Sequence, residues 1–279
     1  MSTKKNLITN VSVTPLVFVN ETQVIFQRHC DYDRINGGLI DNSVQVQTEL
    51  AKKFMQNLFV GLTLDEIKNI SILFVASNTV SNGNFKRCVE TINIVMNVAK
   101  VYFRELGISE EQIINLSEKS NYKNELKEVS HIEEPRMFTD NKGYLEFLEK
   151  KHDSKINDFW TDFEEDNEKV KREELGAEGP DEIVDRGLYF LKILQRYSRV
   201  FHKKHPDSRL IVWCGTHYDL ISPLVKKTIL GYDKTDYVGV DYCGGISFVI
   251  SENSDIIANL NGVNHPIDLQ DKKQHPRHF

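Results

Sequence analysis

Four short, unbroken runs of branched and aromatic residues constrain this chain more than anything else in its sequence. They are Val24-Ile25-Phe26, Ile72-Leu73-Phe74-Val75, Leu210-Ile211-Val212-Trp213 and Ile246-Ser247-Phe248-Val249-Ile250. A strand with one wet face alternates apolar and polar residues, whereas a nearly continuous run is what a strand needs when helices cover both its faces. Longer segments of helical period lie between the runs, which together point to an α/β sheet with crossover helices. Val46 to Leu58 places Leu50, Ala51, Phe54 and Leu58 on one helix face. Phe85 to Leu106 does the same through Val89, Ile92, Val95 and Met96, with Gly107 as its stop. Pro180 to His202 opens on a proline suited to a first helical position. Ile256 to Leu260 is expected to pair antiparallel with the run before it, through the turn-prone Glu252-Asn253-Ser254.

The fold class expected is α/β: a three-layer α/β/α sandwich with a mostly parallel central sheet and a charged helical insertion, in one domain spanning residues 1–279. The insertion, Pro135 to Gly179, has too few apolar positions for a core of its own and reads as a solvated helical excursion or lid. Asp268 to Phe279 reads as a loose polar tail. With 41 acidic against 35 basic residues the formal charge is −6, so no overall basic field favours nucleic acid or anionic lipid. No apolar run is long enough to span a bilayer, and the first ten residues lack the hydrophobic stretch of a secretory signal. Four scattered cysteines without CxxC pairing suit a reducing compartment. The expectation is a cytoplasmic protein.

Chemistry-bearing residues cluster just past the runs. Arg28-His29 follows the first strand, where reactive groups of α/β sheets gather. Phe85-Lys86-Arg87-Cys88-Val89-Glu90-Thr91 opens a helix after the second, Leu126-Lys127-Glu128 lies in a polar stretch, and Gly215-Thr216-His217 follows the third. Gly176 to Arg186 adds a Gly-x-Glu-Gly-Pro…Arg segment at the start of a helix.

In this order, from about Gln23 to Val249, these motifs resemble the histidine phosphatase (phosphoglycerate mutase-like) superfamily. The resemblance implies hydrolysis of a phosphomonoester through a phosphohistidine on His29, with neither metal nor organic cofactor. It implies phosphate binding by Arg28, Arg87 and His217, and proton donation by Glu128. The residue types suit those roles. Guanidinium forks match phosphate oxygens, a neutral imidazole is a nucleophile, and a carboxyl of raised pKa can protonate a leaving alkoxide and later activate water. Glu125, Glu133 and Glu134 are alternatives to Glu128 for the proton. The substrate expected is a phosphorylated small molecule or a phosphoprotein.

The chain departs from that pattern. Cys30 and Tyr218 stand where glycine usually follows each histidine, Gly83-Asn84-Phe85 replaces Ser-x-Leu, and an asparagine comes one position late as Asn36, near Arg34. A catalytically degenerate phospholigand-binding protein on the same fold is therefore the alternative function. A Rossmann or P-loop nucleotide protein is disfavoured, because no GxGxxG or GxxxxGK[ST] follows a strand; Gly37-Gly38 and Gly244-Gly245 read as turns. Cys30, Cys88 and Cys214 adjoin proposed site residues, which predicts lowered thiol pKa values and modest peroxide sensitivity. A zinc site built from Cys and His is a remote alternative, since no short-spaced ligand pair occurs.

Overall fold

A computed structural model of the chain describes residues 8, 18–80, 85–115, 130–138, 142–153, 156–231 and 238–269. The elements in chain order are β1 (Thr22–Arg28), α1 (Asp41–Phe59), α2 (Leu64–Lys68), β2 (Ile70–Ala76), α3 (Arg87–Glu105), β3 (Ile113–Asn115), α4 (Lys142–His152), α5 (Ile156–Glu164), α6 (Lys169–Glu174), α7 (Pro180–Lys204), β4 (Arg209–Thr216), α8 (Tyr218–Val225), β5 (Gly245–Ile250), β6 (Ile256–Leu260) and β7 (Val263–Ile267). Each of the four apolar runs is a strand.

The seven strands form one sheet in the order β3-β2-β4-β1-β5-β6-β7. The pairings β2·β3, β2·β4 and β1·β4 are parallel, whereas β1·β5, β5·β6 and β6·β7 are antiparallel. The sheet is thus mixed rather than mostly parallel. The reason lies in the connections: from β5 onward the strands are joined by tight turns, which permit only antiparallel neighbours. Ser251 to Asp255 makes the first of these turns, with Ser254 at φ 69. The polar β7 lies at the edge, where Pro266 can occupy a ladder position without breaking an inner strand.

Successive residues of the inner strands point to opposite cores. Val24 and Phe26 of β1 join Phe190, Leu191, Leu220 and Leu224 of α7 and α8. Ile25 joins Phe54 of α1, Ile92 and Val95 of α3, and Trp213 of β4. Helices therefore cover both faces, which is why these runs carry no polar alternation. Two glycines let the layers close. A Cβ on Gly245 would collide with the Phe26 carbonyl of the neighbouring strand, and one on Gly215 would meet Ile92 of α3.

The charged insertion is not a solvated excursion. Tyr144 and Leu148 of α4, and Phe159 and Phe163 of α5, are buried in the same core as α7. Each such side chain contributes about 1.5–3 kcal/mol by leaving water. The insertion has no core of its own because it shares the main one. It is also fastened by charge: Glu164 accepts from Ser222 Oγ of α8 (2.8 Å) and from Lys226 Nζ (3.0 Å), all three buried. Among the described residues no helix is long and apolar enough to cross a membrane.

Candidate active site

Three parallel strands end at one level. Register pairs Arg28 with Thr216 across β1 and β4, and Ala76 with Gly215 across β2 and β4. The next residues along are His29, His217 and Ser77, so the sheet itself delivers two imidazoles and a hydroxyl to one place. A polar network seats the end of β1. Gln27 exchanges amide hydrogen bonds with Gln47 (2.9 and 3.0 Å), accepts from Trp213 Nε1 (2.7 Å) and donates to the Cys243 carbonyl (2.9 Å).

His29 and His217 are 4% and 2% exposed, and their rings meet edge to face with centroids 5.3 Å apart. His29 Nδ1 lies 2.6 Å from the Cys30 carbonyl. A carbonyl only accepts, so Nδ1 carries the proton and Nε2 keeps its lone pair. Burial, then the nearby His217, Arg87 and Arg28, hold the pKa of His29 well below the ordinary histidine value, against a raising effect of the Cys30 carbonyl. The imidazole is therefore neutral at pH 7. Nε2 has no hydrogen-bond partner among the described residues.

The cations differ in how they are compensated. Arg28 donates to the Val240 carbonyl (2.5 Å), and its guanidinium lies over the Tyr242 ring at 3.8 Å. Its Nε is buried without a partner. Such an orphan donor in a cationic site suits a bound anion. Arg87 stands in the first turn of α3, where a cation opposes the helix dipole. Its guanidinium donates to Glu134 Oε1 at 2.8 Å and lies 4.2 Å from the centre of the Tyr32 ring.

Glu134 is the carboxylate of this site. Its Oε1 is also 3.0 Å from His217 Nδ1. Burial pushes its carboxyl up, but His217 and Arg87 outweigh that and bring it to about 2. Three long-range contacts hold the segment that carries it. Thr216 Oγ1 donates to the Ile132 carbonyl (2.7 Å), Glu134 N donates to Thr79 Oγ1 (3.2 Å), and Arg186 donates twice to the Glu133 carbonyl (3.1 Å each). Arg186 is itself aligned by a two-pronged pair with Glu178, at 3.0 and 3.2 Å. The Gly176 to Arg186 segment thus acts by placing Glu134.

The structure brings Arg28, His29, Arg87 and His217 together, while Glu128, like Glu125 and Gly83-Asn84, lies outside the described residues. Asn36 is turned away: its amide donates to Asp33 Oδ2 (2.7 Å) in an exposed turn. Arg34 stands at the rim, 3.2 Å from the Tyr242 hydroxyl. Several site residues carried no sequence signal. Ser77 Oγ is 3.2 Å from His217 Nε2 and 2.9 Å from Thr79 Oγ1. Tyr32 and Tyr242 flank His29, each with its ring centre 5.8 Å away. Asp219, on the first turn of α8, is buried with Oδ1 unpartnered, and burial and Glu134 raise its pKa well above the carboxylate range. The cysteine expectation is corrected: burial raises the pKa of Cys88 and of Cys214, whereas that of Cys30 is lowered by a hydrogen bond with Cys243, the cysteine not expected there. Among the described residues no three His, Cys, Asp or Glu side chains gather as a metal cluster.

No protein-family model and no curated protein matches the sequence. Solved structures similar to the chain include one titled mycobacterial hydrolase 1, at 9% identity and TM-score 0.45, covering 88% of this chain and 99% of the other. A mycobacterial glucosyl-3-phosphoglycerate phosphatase is similar at 11% identity and TM-score 0.45, covering 87% and 98%. Mycobacterial hydrolase 2 is similar at 10% identity and TM-score 0.45, covering 89% and 92%.

Proposed function

We propose that this chain is a phosphatase of the histidine phosphatase type, hydrolysing a phosphomonoester through a phosphohistidine on His29. One observation carries the reading. A buried, neutral imidazole has its Nδ1 committed to a backbone carbonyl and its Nε2 without a hydrogen-bond partner among the described residues, beside Arg28, Arg87 and His217. An α/β sheet with helices against it and both histidines past the ends of parallel strands supports the same reading.

In the first step the His29 Nε2 lone pair attacks phosphorus in line, and the bond from phosphorus to the leaving oxygen breaks. Arg28, Arg87 and His217 hold the non-bridging oxygens and offset the charge. The leaving oxygen needs a proton, and of the candidate carboxylates Glu134 is the one that stands beside Arg87 and His217, which supports it as the source; Glu128 lies outside the described residues. Alone in the site, Glu134 is ionised. A phosphate dianion competes for Arg87 and His217 and adds its own negative charge, and both effects raise the Glu134 pKa and let it take up a proton. Glu134 then protonates the leaving group. Once ionised again, it removes a proton from the water that attacks the phosphohistidine, which releases inorganic phosphate and restores His29.

The test is hydrolysis of p-nitrophenyl phosphate between about pH 5 and 8 with EDTA present, for wild type and His29→Ala. Metal-independent turnover that vanishes in the variant is expected. No turnover in either protein, with phosphate still raising the melting temperature of the wild type, would establish a phospholigand-binding protein, in which Glu134 keeps Arg87 and His217 for itself.

A further inference from the structure

Beneath His29 lies a second reactive group that phosphoryl transfer does not use. Cys30 Sγ and Cys243 Sγ are 3.2 Å apart, both are reduced, and they are 0% and 1% exposed. Of the four cysteines, these two alone face each other: Cys88 turns to the Thr216 carbonyl and His217. The loops that carry them are held in place independently of the sulfurs. Cys30 N donates to Thr91 Oγ1 (3.0 Å), Cys243 N to the His29 carbonyl (3.4 Å), and Gln27 Nε2 to the Cys243 carbonyl (2.9 Å). Cys243 keeps a left-handed backbone, φ 60, which is uncommon for any residue but glycine and turns its side chain toward Cys30.

We propose that Cys30 and Cys243 are a redox-sensitive dithiol that hydrogen peroxide converts to a disulfide, and that this bond switches off His29. The Cys30 thiolate attacks one peroxide oxygen, the O–O bond breaks, and hydroxide leaves, giving a sulfenic acid. Cys243 sulfur then attacks Cys30 sulfur, the S–S bond forms, the S–O bond breaks, and water leaves. In sum, two thiols and one peroxide give one disulfide and two waters, and the two electrons pass from sulfur to oxygen. Cys30 is the attacking partner, because its hydrogen bond with Cys243 lowers its pKa whereas that of Cys243 is raised.

The consequence for His29 is geometric. A disulfide holds its sulfurs near 2.05 Å, so closure draws them together by about 1 Å. The Cys30 carbonyl that holds His29 Nδ1 belongs to the moving residue. Cys243 N also donates to the His29 carbonyl, so the part of that movement taken up by either backbone is passed to His29, where a displacement approaching 1 Å costs on the order of 100-fold in rate.

The experiment treats the full-length protein with hydrogen peroxide, alkylates the remaining thiols after denaturation, and maps the peptides by mass. The expected result is a Cys30–Cys243 crosslink with Cys88 and Cys214 alkylated. In parallel, p-nitrophenyl phosphate hydrolysis falls at least about tenfold, recovers with dithiothreitol, and is unaffected by peroxide in Cys243→Ser. Cys243→Ala serves the same purpose if the serine variant does not fold. Crosslinks through Cys88 or Cys214, oxidation of Cys30 to a sulfinic acid without a crosslink, or a crosslinked protein of full activity would each overturn the proposal. The switch rests on the phosphatase reading but the crosslink does not. If wild type turns over no phosphomonoester, the peptide map alone decides the dithiol.

Discussion

Glu134, half-buried, and Glu164, buried, are both carboxylates bonded to a cation at close range, yet their environments drive them in opposite directions. At the strand ends Glu134 has Arg87 and His217 beside it, and these outweigh burial. In the insertion Glu164 has Lys226 and one hydroxyl, and burial wins, raising its pKa. The difference shows what each region is for. A carboxylate held below its natural range is charge that a competing anion can release. A carboxylate with a single ammonium in a dry seam only fastens one element to another.

Four measurements test this contrast. The largest effect expected is in turnover: Glu134→Gln should lower kcat roughly 10²–10⁴-fold, while phosphate binding tightens because its competitor has lost its charge. Normal turnover in this variant would return the proton-donor role to Glu128 or a neighbour. Next, Glu164→Ala should cost about 3–5 kcal/mol in urea denaturation, since it strands the buried Lys226 charge. A loss under 1 kcal/mol would mean that the lysine finds water and that the seam is looser than it looks. Third comes pH. Glu134 has a folded pKa of about 2, below its unfolded value of about 4.3. Its contribution is therefore complete above about pH 4.3, fades as pH falls toward 2, and is at most about 3 kcal/mol. The raised pKa of Glu164 works the other way, because the folded state then binds the extra proton as pH falls. Between pH 7 and 3, Glu134→Gln should lose less stability than wild type and Glu164→Gln more; equal slopes would erase the distinction. The smallest effect is that of Thr216→Val, which leaves the Ile132 carbonyl without its donor and should cost about 1–3 kcal/mol. Its kcat should fall in proportion to how far Glu134 drifts, and wild-type kcat would show that Thr79 and Arg186 suffice to hold the segment.

The inner fold was legible because continuous apolar runs have few interpretations, and the two histidines were legible because each directly follows such a run. Glu134 was not. Within an acidic stretch it differs from its neighbours only through Thr216, Thr79 and Arg186, which lie 55 or so residues away or more and come close only after the sheet forms. Ser77 and Tyr242 were hidden for the same reason, as single polar residues in loops whose positions the sheet decides. The insertion misled through composition. Among its described residues the charges reach the surface, Glu164 and Arg172 apart, while Tyr144 and Leu148, or Phe159 and Phe163, are four residues apart and so form one narrow apolar line per helix.

The strand order has a consequence for how the protein comes into being. β1, which ends beside His29, pairs with β4 and β5, and both are made after residue 208. Its nearest strand neighbour in sequence, β2, lies beyond β4 in the sheet. During synthesis the His29 segment therefore waits, unpaired, for some 180 residues until β4 slides between the two early strands. A ribosome paused before Arg209 would hold a chain with neither a completed sheet nor an assembled site. The candidate site is assembled late and all at once.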